Sequence, residues 1–294
     1  MCIRDRNELE QKLSLNDYPI DLVFCHVPEI VRSLKLFFKN LTNLTPSIMG
    51  YLHLFELPKI NWNGVFEYNI FGMTEMDSCF LNTSYQKQMV HEEARKIFSS
   101  SVCGKLHENL EVLTPVIIPK NIRPNKKGSN ENIIVWNHDV DKKRNFLEFE
   151  KTILALRKRR DDFTVWVPQL VGKSPETWID NSKSPKHEYY ERLQQCKVGV
   201  QMRQTNYGWS VSGTDCLMNG TPMIWQESDC YREIDPNGMF FKKKTEFFDY
   251  LDKMLDDDIF RFAQEFRSIE SCLLYTSDAA DDLLCVDLGG RRII

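Results

Sequence analysis

The chain has no G-x-G-x-x-G turn, no C-x-x-C pair, no excess of positive charge and no long apolar run. Each absence closes off a class. Without the glycine-rich turn after a first strand, a nicotinamide- or flavin-dependent Rossmann enzyme lacks its pyrophosphate cradle. Without paired cysteines, or a histidine at zinc-finger offset, neither a zinc module nor a thioredoxin-type redox motif is expected. A net charge of −4 supplies no global field to draw the chain to nucleic acid or anionic membrane. Basic and aromatic residues are not interleaved, so no nucleic-acid groove is expected either. No apolar stretch approaches the roughly 20 residues of a membrane-spanning helix. No repeat of solenoid length and no low-complexity tract is present.

What remains is an ordinary globular composition, 42% hydrophobic and 27% charged. The two ends stand apart from it. Cys-Leu-Leu-Tyr-Thr-Ser (Cys272–Ser277) can be written TGT CTC TTA TAC ACA TCT. The reverse complement, entered at its third base, reads ATG TGT ATA AGA GAC, which is Met-Cys-Ile-Arg-Asp, and the chain opens MCIRDR. Two ends of one protein have no structural reason for this relation. Residues 1–6 and 272–294 therefore read as translated sequencing adapter, are expected to be disordered, and are set aside from fold reasoning. The expectation is a fragment whose first domain is incomplete. Six cysteines lie between the ends (Cys25, Cys79, Cys103, Cys196, Cys216 and Cys230). They read as buried free thiols of a reducing compartment, hence a cytoplasmic protein.

Strand and helix patterns alternate. DLVFCH (Asp21–His26), IMGYLHLF (Ile48–Phe55), MDSCFLN (Met76–Asn82) and EVLTPVII (Glu111–Ile118) read as strands. PEIVRSLKLFFKN reads as a helix with Pro28 in its first turn, and YQKQMVHEEARKIF as a helix capped by Thr83 or Ser84. Polar PKNIRPNKKGSNEN interrupts, and the pattern then restarts. NIIVWN, FTVWVPQ, VGVQMR and TPMIWQ read as strands. NFLEFEKTILALRKRR, HEYYERLQQC, VSGTDCLMNG and KTEFFDYLDKML read as helices. The first carries an apolar stripe at Phe146, Phe149, Ile153 and Leu156, and the third ends at Gly220. Alternation of this kind predicts an α/β chain with parallel sheets, two Rossmann-like doubly wound domains. The expected boundaries are 7–120 for a partial N-terminal domain, 121–131 for a linker and 132–271 for the C-terminal domain. Ligands of such folds bind outside the carboxyl ends of the strands.

The most informative stretch is NYGWSVSGTDCLMNGTPMIW (Asn206–Trp225). A glycine-containing loop after a strand, opening a helix, aims backbone N–H groups at its ligand and suits a diphosphate. Asp215, one turn into the helix, suits a ribose diol. This segment resembles the donor-binding segment of GT-B glycosyltransferases, in particular the retaining, group 1-like members. There an acidic residue stands five positions before the Gly of a G-x-P strand entry, as Asp215, Gly220 and Pro222 do here. The family usually has Glu at that position and a second Glu one loop earlier, where this chain has Asn206 or Tyr207. IIVWNHDVDKKRNFLEFEKTILAL resembles the first strand, loop and helix of the family's C-terminal domain, whose basic residues grip the donor diphosphate. Lys143 matches the family's Lys, with Lys142 and Arg144 beside it, and His138 the earlier basic residue. Asp139 stands where relatives carry Arg.

The resemblance implies a metal-independent, hexosyltransferase-type glycosyltransferase. It would move a sugar from a nucleotide-sugar to an unknown glycan, lipid or other acceptor, with no cofactor beyond that donor. It implies donor binding by Asn137, His138, Lys142, Lys143, Gly208, Trp209, Ser210, Val211 and Asp215. His53 and Glu56, at the end of the second strand pattern, would be catalytic. A catalytically degenerate relative that binds nucleotide or sugar is the alternative. Asp139-Val140-Asp141 also spells a metal-binding D-x-D, a pairing common by chance. The runs RKRR (Arg157–Arg160) and KKK (Lys242–Lys244) read as solvated faces.

Overall fold

The computed structural model describes residues 20–41, 44–52, 65–114, 131–141, 144–172, 176–203 and 209–281, with backbone alone at 186–187 and 272–281. The chain divides into two compact units, Met1–Leu113 and Thr114–Ile294.

The first unit holds a parallel sheet in the order β1 (Leu22–Phe24), β2 (Ser47–Leu52), β3 (Ser78–Leu81), β4 (Leu110–Val112). Pro28 opens a 3-10 turn that leads into α1 (Val31–Leu41); a proline there gives up an N–H that would have had no helical partner. α2 (Val65–Glu75) follows β2. α3 (Ser84–Ile97) starts at Thr83, whose hydroxyl accepts from the Gln86 N–H at 3.0 Å. α4 (Ser100–Asn109) then leads into β4. The sheet runs in chain order with no reversal among the described residues.

The second unit holds β5 (Ile133–Val135), α5 (Phe146–Arg157), β6 (Thr164–Trp166), β7 (Ile179–Asp180), α6 (Lys186–Gln195) and β8 (Val198–Gln201). α7 (Val211–Met218), β9 (Met223–Gln226), α8 (Asp229–Ile234), β10 (Met239–Phe241), α9 (Lys244–Asp256) and α10 (Asp258–Asp281) complete it. All six strands are parallel in the order β10-β9-β8-β5-β6-β7. The chain winds outward one way from β5 and the other way from β8. This is the doubly wound dinucleotide-fold order, and its switch point lies between β5 and β8. The predicted stripe on α5 is buried, and Phe149 stacks on Trp136 with ring centroids 4.5 Å apart.

Two expectations need correction. The arginines of RKRR are not merely solvated. Arg160 pairs with Asp162, Asp252 and Asp256 and so ties the end of α5 to α9. Arg157 donates to the Asp161 and Phe163 carbonyls, and its guanidinium lies 5.4 Å from the Phe163 ring centroid. The disorder expected from Cys272 does not hold for residues 272–281, which continue α10. They contain no Pro or Gly, and extending an established helix is far cheaper than starting one.

Gly213 sets how closely α7 lies on the sheet. A Cβ there would fall 2.3 Å from Cη2 of the buried Trp225, whose indole N–H is held by Asp235 at 2.9 Å. The ring cannot yield without losing that bond. Gly213→Ala is expected to destabilise the second unit by about 1–3 kcal/mol, the cost of an overpacked core, read as a lower denaturant midpoint.

Candidate functional site

The residues at the switch point come from three elements. β5 runs out into Trp136, Asn137 and His138, all buried. Asn137 Nδ2 donates to the Ser212 carbonyl in the first turn of α7 at 2.8 Å, and to Tyr189 Oη on α6 at 2.9 Å. Asn137 thus joins the carboxyl end of β5 to both helices that flank it. Its Oδ1 is buried with no hydrogen-bond partner, and so is Nε2 of His138. A buried polar atom left unpaired costs about 1–3 kcal/mol. Two in succession at the carboxyl end of a strand beside the switch point make this a candidate ligand site.

At the end of β8, fully buried Gln201 donates to the Met202 carbonyl at 2.8 Å and accepts from Ser210 Oγ at 2.6 Å. Ser210 in turn caps α7, accepting from the Gly213 N–H at 3.1 Å. The N–H groups of Val211 and Ser212 precede the first intrahelical bond, Thr214 N–H to Ser210 O. They are the donors this helix start offers. Asp215 lies one turn further, half-buried, with its Oδ2 3.4 Å from Tyr189 Oη. Its backbone carbonyl accepts from Asn219 Nδ2 at 2.7 Å. Gly220, with φ of +74°, ends α7 and turns the chain into β9.

The loop after β5 is pinned to the loop after β8. Asn145 takes a left-handed conformation, φ 62°, which Asn tolerates better than most residues. Its Nδ2 donates to the Arg203 carbonyl at 3.2 Å. Asp141 Oδ1 accepts from the Arg144 N–H at 2.7 Å, and Asp139 lies 3.9 Å from Arg144 Nε. Asp141 is thus committed to shaping the loop, and among the described residues no group of three metal-ligating side chains occurs.

Of the sequence-predicted donor residues, Asn137, His138, Trp209, Ser210, Val211 and Asp215 are placed, and Trp209 is buried. Lys142, Lys143, Gly208, His53 and Glu56 lie outside the described residues. His138 needs correction as a cation. Burial, with the Arg144 charge second, pushes its pKa down to about 3, against a hydrogen bond with the Val200 carbonyl that raises it. The imidazole is therefore neutral at neutral pH. With Nε2 the orphaned nitrogen, Nδ1 is the one that donates to Val200, and Nε2 is left as an acceptor. Sequence reasoning missed Tyr189, Gln201 and Asn145. Only Gln201 left a signal, as a polar residue closing an apolar strand.

No family model matches the chain, and no curated protein matches it in sequence. Solved structures do match. One is an α,α-trehalose-phosphate synthase (UDP-forming) from Burkholderia vietnamiensis, with TM-score 0.66 and 13% identity over 95% of this chain and 78% of that one. A second is described as trehalose-6-phosphate from E. coli bound with UDP-2-fluoro glucose, with TM-score 0.69 and 12% identity over 97% and 76% of the two chains. A third is TarM, with TM-score 0.69 and 12% identity over 92% and 56%. The likeness at these identities is one of fold, and the fold is GT-B.

The neutral His138 has a consequence for stability. The unfolded chain takes up a proton near pH 6.5, whereas folded His138 resists it down to about 3. Stability present at neutral pH is therefore lost as the pH falls from 6.5 toward 3. His91 in the first unit, held at about 4 mainly by burial and then by His107, acts in the same direction. Denaturation followed between pH 7 and pH 4 should show this loss, and His138→Gln should flatten the part that belongs to the second unit.

Proposed function

We infer that the chain is a glycosyltransferase whose second unit binds a nucleotide-sugar at the switch point between β5 and β8. The observation that carries this reading is the pair of buried, unpartnered atoms, Asn137 Oδ1 and His138 Nε2. They stand at the carboxyl end of β5, beside the capped start of α7. The fold it shares with solved glycosyltransferases supports it.

In this reading Asp215 accepts the ribose hydroxyls, and the N–H groups of Val211 and Ser212 donate to the diphosphate. Lys142 and Lys143, which follow β5 in the sequence, supply positive charge to it. Diphosphate is the leaving group when the sugar is transferred, so positive charge and N–H donors placed on it stabilise the charge that develops there. His138 takes a different part from a cation: as a neutral acceptor it suits a hydroxyl of the nucleotide-sugar. The reaction needs no resident cofactor in this scheme. His53 and Glu56 are assigned to the reacting sugar and the acceptor.

Titration of the full chain with UDP, GDP and ADP, each with and without an attached hexose, tests the reading. Saturable binding of one nucleotide is expected. Asp215→Ala should weaken it about tenfold to a hundredfold, the loss of one hydrogen bond to a charged group or more. Lys143→Ala should weaken the diphosphate forms and spare the nucleoside. Wild-type affinity in both variants would overturn the assignment. Binding without transfer or hydrolysis of the sugar would favour a catalytically degenerate relative.

A further inference from the structure

We propose that Asp235 is a positioning residue of the donor site: through Trp225 it fixes the first turn of α7, whose N–H groups meet the diphosphate. The proposal rests on the donor-site reading above and adds a residue that stands between α8 and the start of β10.

The contact between Trp225 and Gly213 carries it. A Cβ on Gly213 would fall 2.3 Å from Trp225 Cη2, so the backbone of the first turn of α7 rests on the edge of the ring. The cap of that helix closes at the same residue, where the Gly213 N–H donates to Ser210 Oγ at 3.1 Å. The ring is held on its other edge. An indole N–H can only donate, and Asp235 Oδ2 accepts it at 2.9 Å. Asp235 Oδ1 accepts from Ser271 Oγ on α10, also at 2.9 Å. One carboxylate thus ties the ring beneath α7 to α10. The Trp225 ring centroid also lies 5.1 Å from that of Tyr231, whose Oη donates to the Met202 carbonyl, just past β8, at 3.2 Å. The same ring therefore bears on both sides of the loop that joins β8 to α7.

A carboxylate is a costly group to place here. Asp235 is 4% exposed. Burial raises its pKa, against the Trp225 and Ser271 bonds that lower it. An apolar side chain would avoid that desolvation, but it would leave the buried indole N–H without an acceptor. Gly238 makes room for the carboxylate, since a Cβ there would fall 2.3 Å from Asp235 Oδ2. Space and cost both indicate that Asp235 serves through its acceptor oxygens. Val211 and Ser212 immediately precede Gly213. A ring freed from Asp235 lets that turn shift, and hydrogen bonds to the diphosphate weaken steeply as their angles open.

The test uses the full chain and whichever of UDP, GDP and ADP binds it best, compared with the matching nucleoside. The wild type should bind the diphosphate more tightly. Asp235→Leu should shrink that preference about threefold to tenfold, the range of one ordinary hydrogen bond. Asp235→Asn should restore it, because the amide oxygen accepts from the indole while the Ser271 hydroxyl turns to accept from the amide nitrogen. Ser271→Ala, the milder variant, keeps the Trp225 bond but frees the carboxylate from α10, and should shrink the preference about twofold. A thermal melt verifies folding, and if Asp235→Leu does not fold, Ser271→Ala decides. An unchanged ratio in the folded variants, equal weakening of both ligands, or an Asp235→Asn as impaired as Asp235→Leu overturns the proposal alone. A folded wild type that binds none of the three nucleotides overturns the donor-site reading and this proposal with it.

Discussion

The pairing of β5 with β8 is the constraint on which the second unit depends. It consists of two aligned pairs, Ile134 with Val198 and Val135 with Gly199, and the Lys197 N–H bonded to the Ile133 carbonyl at 2.9 Å. β5 and β8 are separated in sequence by two strands and two helices, yet they lie side by side. Right-handed crossovers leaving these two strands in opposite directions place their helices on opposite faces of the sheet. The loops after β5 and β8 therefore lead toward opposite faces, and they meet where Asn145 Nδ2 donates to the Arg203 carbonyl. Gly199 belongs to the same constraint: a Cβ there would fall 2.3 Å from Met223 Sδ.

Because the pairing is parallel, both carboxyl ends emerge at the same edge. That brings Asn137 within reach of Ser212, and one amide then joins the end of β5 to the start of α7. The polar groups around it are unevenly satisfied. Gln201, Ser210 and the Asn137 nitrogen are fully engaged in holding α6, α7 and the strands together. Asn137 Oδ1 and His138 Nε2 are not. The engaged groups build the scaffold, and the unengaged ones face the cost of burial without return. Such a division between rigid support and unsatisfied contact atoms is what a preorganised binding site requires.

Sequence patterns made part of this legible. β5 and α5 could be read because Ile133, Ile134 and Val135 form a run and the α5 stripe keeps helical spacing. Asp215 and Ser210 could be read because a strand, a glycine loop and a short helix are local features. α2 could not: VFEYNIFGMTE is apolar on several sides, and Gly72 in its middle looks like a breaker. Its actual role is close packing, since a Cβ would fall 2.0 Å from the Pro28 carbonyl oxygen. β10 is three residues long, too short for any period to show. The position of His138 was legible and its charge was not, because charge state depends on burial, which the fold decides. Tyr189 was invisible for a related reason. Its partners Asn137 and Asp215 are 52 and 26 positions away, and no window spans such distances.

The polarity of α7 argues for one direction of binding in the proposed donor site. Asp215 stands four residues beyond Val211, roughly 6 Å along the axis of α7 at 1.5 Å per residue. The start of that helix offers N–H donors and the positive end of its dipole. Its second turn carries the half-buried Asp215 carboxylate. A nucleoside diphosphate has the complementary order, anionic at the diphosphate and hydroxyl-bearing at the ribose. Reversed, it would set diphosphate against Asp215 and a neutral diol against the N–H donors, a repulsion added to an unmet charge. In the proposed donor site the orientation would therefore follow from a single helix, and the segment after β5, held to Arg203 by Asn145, would meet the diphosphate at the start of α7.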